Sequence, residues 1–140
     1  MQLTYGLYQA LLVINILSIL FTKKISFLPY YISILGFLLI IIAAILDLYW
    51  EIFWLKHKQS MVTKGIYSYI RHPFLTFIIL ASFGISLTFN HLISLIISII
   101  TVVIIFKGSK QEEDFLIKKF GNKYKEYIAK VPYRFIPRII

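Results

Sequence analysis

Long runs of apolar residues constrain this chain more than any other feature of its sequence. A helix needs about 17 to 25 mostly apolar residues to cross the hydrocarbon core of a bilayer. Four segments meet or approach that length: residues 5–21, 28–54, 74–89 and 91–106. Hydrophobic residues make up 59% of the 140 residues, and the mean hydropathy is +0.82, which is too apolar for a soluble domain of this size. We therefore expect an all-α integral membrane protein with about four transmembrane helices, forming one domain over residues 1–140.

The third and fourth segments are separated only by Asn90 and His91. A connection this short predicts a tight helical hairpin. Small residues at a spacing of four let helix backbones approach closely in lipid, and the hairpin contains two such pairs: Ser82 with Ser86, and Ser94 with Ser98.

Basic residues predict the orientation of the chain. Lys23 and Lys24 lie in the first loop, whereas the other thirteen of fifteen basic residues lie in the second loop and in a C-terminal tail, residues 107–140. An even number of spans places that loop and tail on one side, which the positive-inside rule makes cytoplasmic. We expect both termini at the cytoplasmic face of the cell membrane. The net charge of +9 then favours anionic membrane lipids as partners over nucleic acid.

Several chemistries are disfavoured by residue content. Cysteine is absent, which removes thiolate nucleophiles and thiolate metal sites. The histidines, His57, His72 and His91, lack the spacing of a metal-binding motif. We expect no metal site.

Two acidic residues lie near the end of the second apolar segment. Asp47, Glu51 and Trp54 recur at helical spacing and so share one helix face. Acids near a helix end are commonly solvated. An ionisable group at membrane depth, however, costs free energy and therefore usually has a function. The residues alone leave both interpretations of Asp47 and Glu51 open.

Polar chemistry concentrates in the stretch GIYSYIRHPFL, which begins at Gly65. Glycine permits loop conformations that other residues resist, and Pro73 can open the third helix at its first turn. Free backbone N–H groups and the positive end of the helix dipole would then lie beside Arg71 and His72, which outlines an anion site. The alternative is that Arg71 and His72 only anchor the helix at lipid headgroups.

The tail predicts two further helices. Ser109 followed by Glu112 is a capping-box pattern that would begin one helix, and Gly121 would end it. Apolar residues at helical spacing then predict an amphipathic helix against the membrane or the bundle: Tyr124, Tyr127, Ile128 and Val131. Glu112 and Glu113 could simply stabilise a first helical turn.

Two blocks carry a family resemblance. The stretch MVTKGIYSYIRHP, followed by the hairpin and then by EEDFLIKKFGNKYKEYIAKVP with FIP, resembles the isoprenylcysteine carboxyl methyltransferase and phospholipid methyltransferase family of integral membrane enzymes. The match covers more than half of the chain. An RHP tripeptide alone is weak evidence for this family, because membrane sterol reductases carry a similar one. The two blocks in this order and at this separation are more specific evidence.

The resemblance implies methyl transfer from S-adenosylmethionine in a pocket near the cytoplasmic face. Residues at matching positions would hold this cofactor: Val62, Gly65, Tyr67, His72, Pro73, Glu112 and Glu113. Candidate catalytic residues are Arg71 and Arg134, as cations beside an acceptor carboxylate, and Glu113, beside the cationic sulfonium. Methyl transfer needs alignment of two reactants and no covalent nucleophile, in agreement with the missing cysteine.

Departures from the family pattern leave alternatives open. Family members usually follow the RHP with one residue and then Tyr, whereas this chain has Phe74 and Leu75. Tyr133 lies between the preceding proline and Arg134, which makes the match of Arg134 to the family pattern less certain. The acceptor would be lipidic or small and apolar, offering a carboxylate, an amine or a thiol. Other interpretations are a nicotinamide-dependent membrane reductase of the sterol type and a non-catalytic small helical membrane protein. The sequence does not indicate the oligomeric state.

Overall fold

The computed structural model describes residues 2–56 and 63–137. All regular structure in this part of the chain is helical, which confirms the all-α prediction. The helices are α1 (Gln2–Phe21), α2 (Ile32–Lys56), α3 (Pro73–Thr88), α4 (Leu92–Phe120) and α5 (Asn122–Lys130), with a short 3-10 turn at Gly65–Ser68.

Membrane character is visible in the helix lengths and surfaces. Among the described residues, two helical segments are long and apolar enough to cross a bilayer, Ile32–Phe53 and Leu92–Phe120. Shorter apolar helices cover Gly6–Phe21 and Pro73–Thr88. Large apolar side chains along α2 are exposed, including Ile45 at 62%, as expected for a surface that faces lipid. The number of spans, four, stays a prediction.

Helices α2 and α3 approach each other through two glycines. A Cβ at Gly36 would lie 2.4 Å from the backbone nitrogen of Thr88, and one at Gly84 would lie 3.0 Å from the Gly36 carbonyl oxygen. Because these neighbours are backbone atoms, they cannot move aside as a flexible side chain could. The close packing of α2 on α3 therefore requires glycine at both positions.

A buried polar cluster joins α1 to the hairpin formed by α3 and α4. Asn15 Nδ2 donates to Ser82 Oγ at 2.7 Å and to Ser98 Oγ at 2.9 Å. Ser94 Oγ donates to Asn15 Oδ1, and Ser86 Oγ lies 2.8 Å from Ser94 Oγ. The four serines singled out in the sequence are thus buried at helix contacts. Three of them, Ser82, Ser94 and Ser98, also bind Asn15, a partner that the sequence did not reveal.

The predicted hairpin between α3 and α4 is confirmed. Its turn places Asn90 at a φ of +48°, a conformation that Asn tolerates better than most residues. The Asn90 N–H donates to the Leu87 carbonyl at 3.1 Å. The side chain of His91 then caps α4, because its Nδ1 accepts from the Ser94 N–H at 3.2 Å.

The capping-box interpretation of Ser109 and Glu112 is wrong. Helix α4 continues without a break through both residues, and Ser109 Oγ donates to the Phe106 carbonyl at 3.0 Å. The predicted boundary between the fourth apolar segment and the tail therefore lies inside one continuous helix. This helix ends at Gly121, as predicted, with a φ of +60°.

Helix α5 packs its apolar face back onto the protein, as its periodicity predicted. Tyr124, Tyr127 and Val131 are buried and form a small core with partly buried neighbours that include Tyr67 and Ile117. This contact holds α5 against the end of α4 and against the loop that precedes α3.

Candidate functional site

The polar blocks of the sequence meet at one end of the helix bundle. Tyr8, near the start of α1, lies against Gly108 in the second half of α4, and Gly36, near the start of α2, lies against the end of α3. Helix α1 is therefore antiparallel to α4, and α2 is antiparallel to α3. The start of α3, the end of α2 and the charged half of α4 share one end of the molecule.

Glu113 is the centre of an ion-pair network at this end. Its Oε1 accepts from Arg71 Nε at 2.7 Å and lies 3.1 Å from His72 Nε2. Its Oε2 accepts from Arg134 Nη2 at 2.7 Å and from Arg134 Nε at 3.1 Å. The Glu113 side chain is only 6% exposed. A carboxylate this buried is stable as an anion because two guanidinium groups pair with it.

The anion expected beside Arg71 and His72 is supplied by the chain itself. Glu113 occupies that position, and the backbone N–H groups of Arg71 and His72 donate to the carbonyls of Tyr133 and Arg134 at 3.0 and 2.9 Å. A ligand anion must therefore use another donor. Within the described part of the chain, Nη1 of Arg134 has no acceptor, and this side chain is 30% exposed.

Residues 131–135, here called the C-terminal segment, bind the start of α3 through their carbonyl oxygens. Val131 O accepts from Arg71 Nη1 at 2.6 Å, and Phe135 O accepts from Thr76 Oγ1 at 2.9 Å. The Tyr133 and Arg134 carbonyls, described above, lie between them. Four of five consecutive carbonyls thus hold one short stretch of α3 and its preceding turn.

Glu112 lies on the other side of His72 from Glu113. Its Oε2 is 3.6 Å from His72 Nδ1, and its side chain is 12% exposed. The imidazole of His72 is therefore placed between two carboxylates, of which Glu113 is bound by both arginines.

The loop before α3 is shaped by Gly65. Its φ is +65°, and a Cβ there would lie 2.7 Å from Phe53 Cε2, so a side chain would be both strained and crowded. The following turn contains Tyr67, which is partly buried. Its hydroxyl accepts from Trp50 Nε1 at 2.7 Å, and its carbonyl accepts from the Tyr127 hydroxyl at 2.7 Å. Burial raises the pKa of Tyr67 to about 12, so the phenol is neutral at physiological pH.

A groove of about 230 Å³ opens between α1, α2 and the start of α3. The aromatic rings of Trp50 and Phe74 lie 4.9 Å apart in its wall. Two carboxylates lie in the same wall, and none of the described residues that line it is basic. The lining consists of Gln9, Leu12, Asp47, Trp50, Glu51, Phe74, Phe77 and Ile78.

The structure gathers most of the residues that the sequence singled out. One network contains Arg71, His72, Glu112, Glu113 and Arg134. Pro73 begins α3 directly beside it, whereas Gly65 and Tyr67 lie on the adjoining loop. Val62 lies outside the described residues. The roles assigned to these residues stay predictions.

Other residues of the site were missed. Thr76 and the carbonyls of the C-terminal segment belong to no sequence motif. The one available signal was that Thr76 lies one helical turn after His72. Tyr127 was predicted only as part of an apolar helix face, and its hydroxyl in fact fixes the loop at Tyr67.

Comparison with known proteins assigns this arrangement to a family. A family model described as phospholipid methyltransferase matches residues 27–123, which is well over half of the chain. The chain belongs to the phospholipid methyltransferase family. The resemblance inferred from the two sequence blocks is therefore confirmed.

A curated relative supports this family assignment. Over 73 residues the chain is 32% identical to the Protein-S-isoprenylcysteine O-methyltransferase of Schizosaccharomyces pombe. The matched stretch makes up 51% of this chain and 31% of that relative, so the chain covers less than a third of the relative's length. Both comparisons relate the chain to methyltransferases.

Proposed function

We propose that this protein transfers a methyl group from S-adenosylmethionine to a lipidic or small apolar acceptor at the network around Glu113. One observation carries the proposal. The bonds from Glu113 to Arg71 and Arg134 join the loop block and the tail block, the two blocks on which the family resemblance depends.

The residues at this network suit the chemical groups of the cofactor. Its carboxylate needs a cationic donor, and Nη1 of Arg134 is available among the described contacts. Its ammonium and ribose hydroxyls suit a carboxylate, for which Glu112 is the candidate.

Glu113 acts in this proposal as a fixed counter-charge and not as a base. Both of its oxygens accept hydrogen bonds from guanidinium groups, so a proton from an acceptor would compete with two cations. Its role is to hold Arg71 and Arg134 in place. When bound, the cofactor supplies an electrophilic methyl group on its sulfonium, and the protein contributes alignment and exclusion of water.

The acceptor enters the groove between α1, α2 and α3. Phe74, in the groove wall, follows Pro73 directly, and Trp50 is hydrogen-bonded to Tyr67, so the groove adjoins the network. Aromatic rings together with Asp47 and Glu51 favour an ammonium or amine group, and either carboxylate could take the proton that an amine loses. An acceptor carboxylate would be repelled by the same two acids. We therefore favour an amine acceptor.

Cofactor binding tests the enzymatic proposal directly. Calorimetry on the detergent-purified protein should detect S-adenosylmethionine or its demethylated product with micromolar-range affinity, about −8 kcal/mol. Absence of binding to either nucleoside, in protein shown to be folded, would leave a non-catalytic membrane protein as the better interpretation.

The acceptor class is tested separately with labelled cofactor. Amine-bearing lipids should be methylated in preference to carboxylate-bearing lipids of matched chain length. The double variant Asp47→Asn, Glu51→Gln should lose most of this transfer while its cofactor affinity stays within about twofold of wild type. Glu126→Gln, which changes an exposed acid on α5, is the matched control. Preferential methylation of the carboxylate lipids would overturn the amine assignment alone.

A further inference from the structure

Thr76 makes one hydrogen bond that its helix does not require. Its backbone N–H already donates to the His72 carbonyl at 3.1 Å, as in any α-helix. Its hydroxyl oxygen lies 3.0 Å from the same carbonyl and 2.9 Å from the Phe135 carbonyl, 59 residues away in the chain. Thr76 is 8% exposed, so water competes weakly for this hydroxyl.

The bond from Thr76 fixes the far end of the C-terminal segment. The nearer carbonyls of that segment are held by the backbone and guanidinium of Arg71 and by the backbone of His72. Phe135 is 3% exposed, and its ring lies 4.9 Å from that of Phe106. The carbonyls of both sequence neighbours of Arg134, Tyr133 and Phe135, are therefore hydrogen-bonded. These bonds restrict the positions that the Arg134 guanidinium can adopt.

We propose that Thr76 is a positioning residue for the cofactor site, acting through the C-terminal segment on Arg71, His72 and Arg134. The inference rests on the proposed function for its effect on cofactor affinity, but the docking of the segment is independent of any ligand. The hydroxyl is the required group, because the γ-methyl of threonine makes no hydrogen bond.

Three variants isolate the hydroxyl. Thr76→Val removes it at nearly constant shape, and Thr76→Ser keeps it. Thr101→Val is the matched control, because Thr101 is fully buried in α4. Among the described residues, its hydroxyl bonds only the carbonyl one turn earlier, Ile97 O at 2.8 Å. Thr76→Ala also lacks the hydroxyl and replaces Thr76→Val if that variant does not fold.

Hydrogen exchange and cofactor binding are measured on each full-length variant in detergent. Loss of one hydrogen bond changes an equilibrium constant by roughly fivefold. In Thr76→Val, the amides of Arg71 and His72, which donate to the C-terminal segment, should exchange about fivefold faster. Affinity for S-adenosylmethionine should fall by a similar factor. Thr76→Ser should restore both quantities, and Thr101→Val should change neither.

Hydrogen exchange and cofactor affinity test separate parts of the proposal. Unchanged exchange at Arg71 and His72 in Thr76→Val, or an equal effect of Thr101→Val, would overturn the positioning role. Faster exchange with unchanged cofactor affinity would also overturn it, because the docked segment would then not serve the site. If wild-type protein binds no cofactor, the proposed function and the positioning role both fail, and the exchange data still decide whether Thr76 docks the segment.

Discussion

Adjacent glutamates on α4 have different surroundings, although the sequence presents them as a pair. Glu113 is buried at 4% exposure and its two oxygens contact both arginines and His72. The Oε2 of Glu112 lies 3.6 Å from His72 Nδ1, and the Glu112 side chain is more exposed, at 12%. We infer that Glu113 maintains the site and that Glu112 is the better candidate for direct contact with the cofactor.

Substitution of each glutamate by glutamine should separate these roles. Glu113→Gln leaves the buried guanidinium of Arg71 without its counter-charge, so we expect a loss of stability of about 3 kcal/mol or more, together with loss of cofactor binding. Glu112→Gln leaves the pairs of Glu113 with both arginines intact, so it should lose less stability than Glu113→Gln. It should still lose tenfold or more in affinity, about 1.5 to 3 kcal/mol. Thermal unfolding and calorimetry measure the two quantities.

Further variants define the limits of this network. His72→Ala and Arg71→Ala should also weaken cofactor binding, whereas Lys23→Ala, in the first loop, should leave it unchanged. If both glutamine variants fold and bind the cofactor with normal affinity, Glu112 and Glu113 have only a structural role.

Residue types at the site could be predicted from the sequence, but their pairing could not. The RHP and Glu-Glu blocks identified Arg71, His72 and Glu113 as polar groups in an apolar chain. That Glu113 is bound by Arg71, 42 residues away, and by Arg134, 21 residues away, depends on how α3 docks on α4. No local pattern encodes that contact, so the sequence suggested an anion site open to ligands where the protein supplies its own carboxylate.

At the scale of elements, α4 shows how a local signal can be overridden. Ser109 followed by Glu112 has the spacing of a capping box, yet the same residues fit inside a helix when Ser109 bonds the Phe106 carbonyl. The continuous helix carries Glu113 to the start of α3, where it pairs with Arg71. Tertiary contacts therefore outweigh the preference of serine for a helix start.

Alanine substitutions distinguish an apparent cap from a real one. Ser109→Ala should change stability by no more than about 0.5 kcal/mol, since alanine is favourable inside a helix. His91→Ala should cost at least about 0.5 to 2 kcal/mol, the value for loss of an N-cap, because His91 binds the Ser94 N–H and its Nε2 also lies 3.1 Å from Thr22 Oγ1. Thermal unfolding measures both values. A larger loss for Ser109→Ala than for His91→Ala would contradict a continuous α4.

Element boundaries marked by proline and glycine were predictable from the sequence. Pro73 begins α3 and Gly121 ends α4, because each residue has a backbone restriction or freedom that acts locally. The contact of Gly36 with Gly84 was not predicted, since it needs α2 and α3 to be placed side by side before the absence of a Cβ matters.

At the scale of the whole molecule, the helices place the polar network at one end of an apolar bundle. Antiparallel neighbours bring the start of α3 to the end of α2 and to the charged half of α4. The all-helical class followed from hydropathy alone. The depth of each helix in a bilayer does not follow from its length, because α3 has only 16 residues. An interfacial position would suit it as well as a span across a locally thinned bilayer.

Topology is the decisive test at this scale. Thirteen of fifteen basic residues follow the second apolar segment, and only Lys23 and Lys24 lie in the first loop. If all four apolar helices span the membrane, the positive-inside rule places the C-terminal segment and the polar network on the cytoplasmic side and Lys24 on the opposite side. Reporter fusions after residue 140 and within the loop near Lys24 should then give opposite signals. Equal signals would show an even number of spans between the two reporters, so at least one of α2, α3 and α4 would not cross the membrane. The cytoplasmic assignment of the site would then have to be withdrawn.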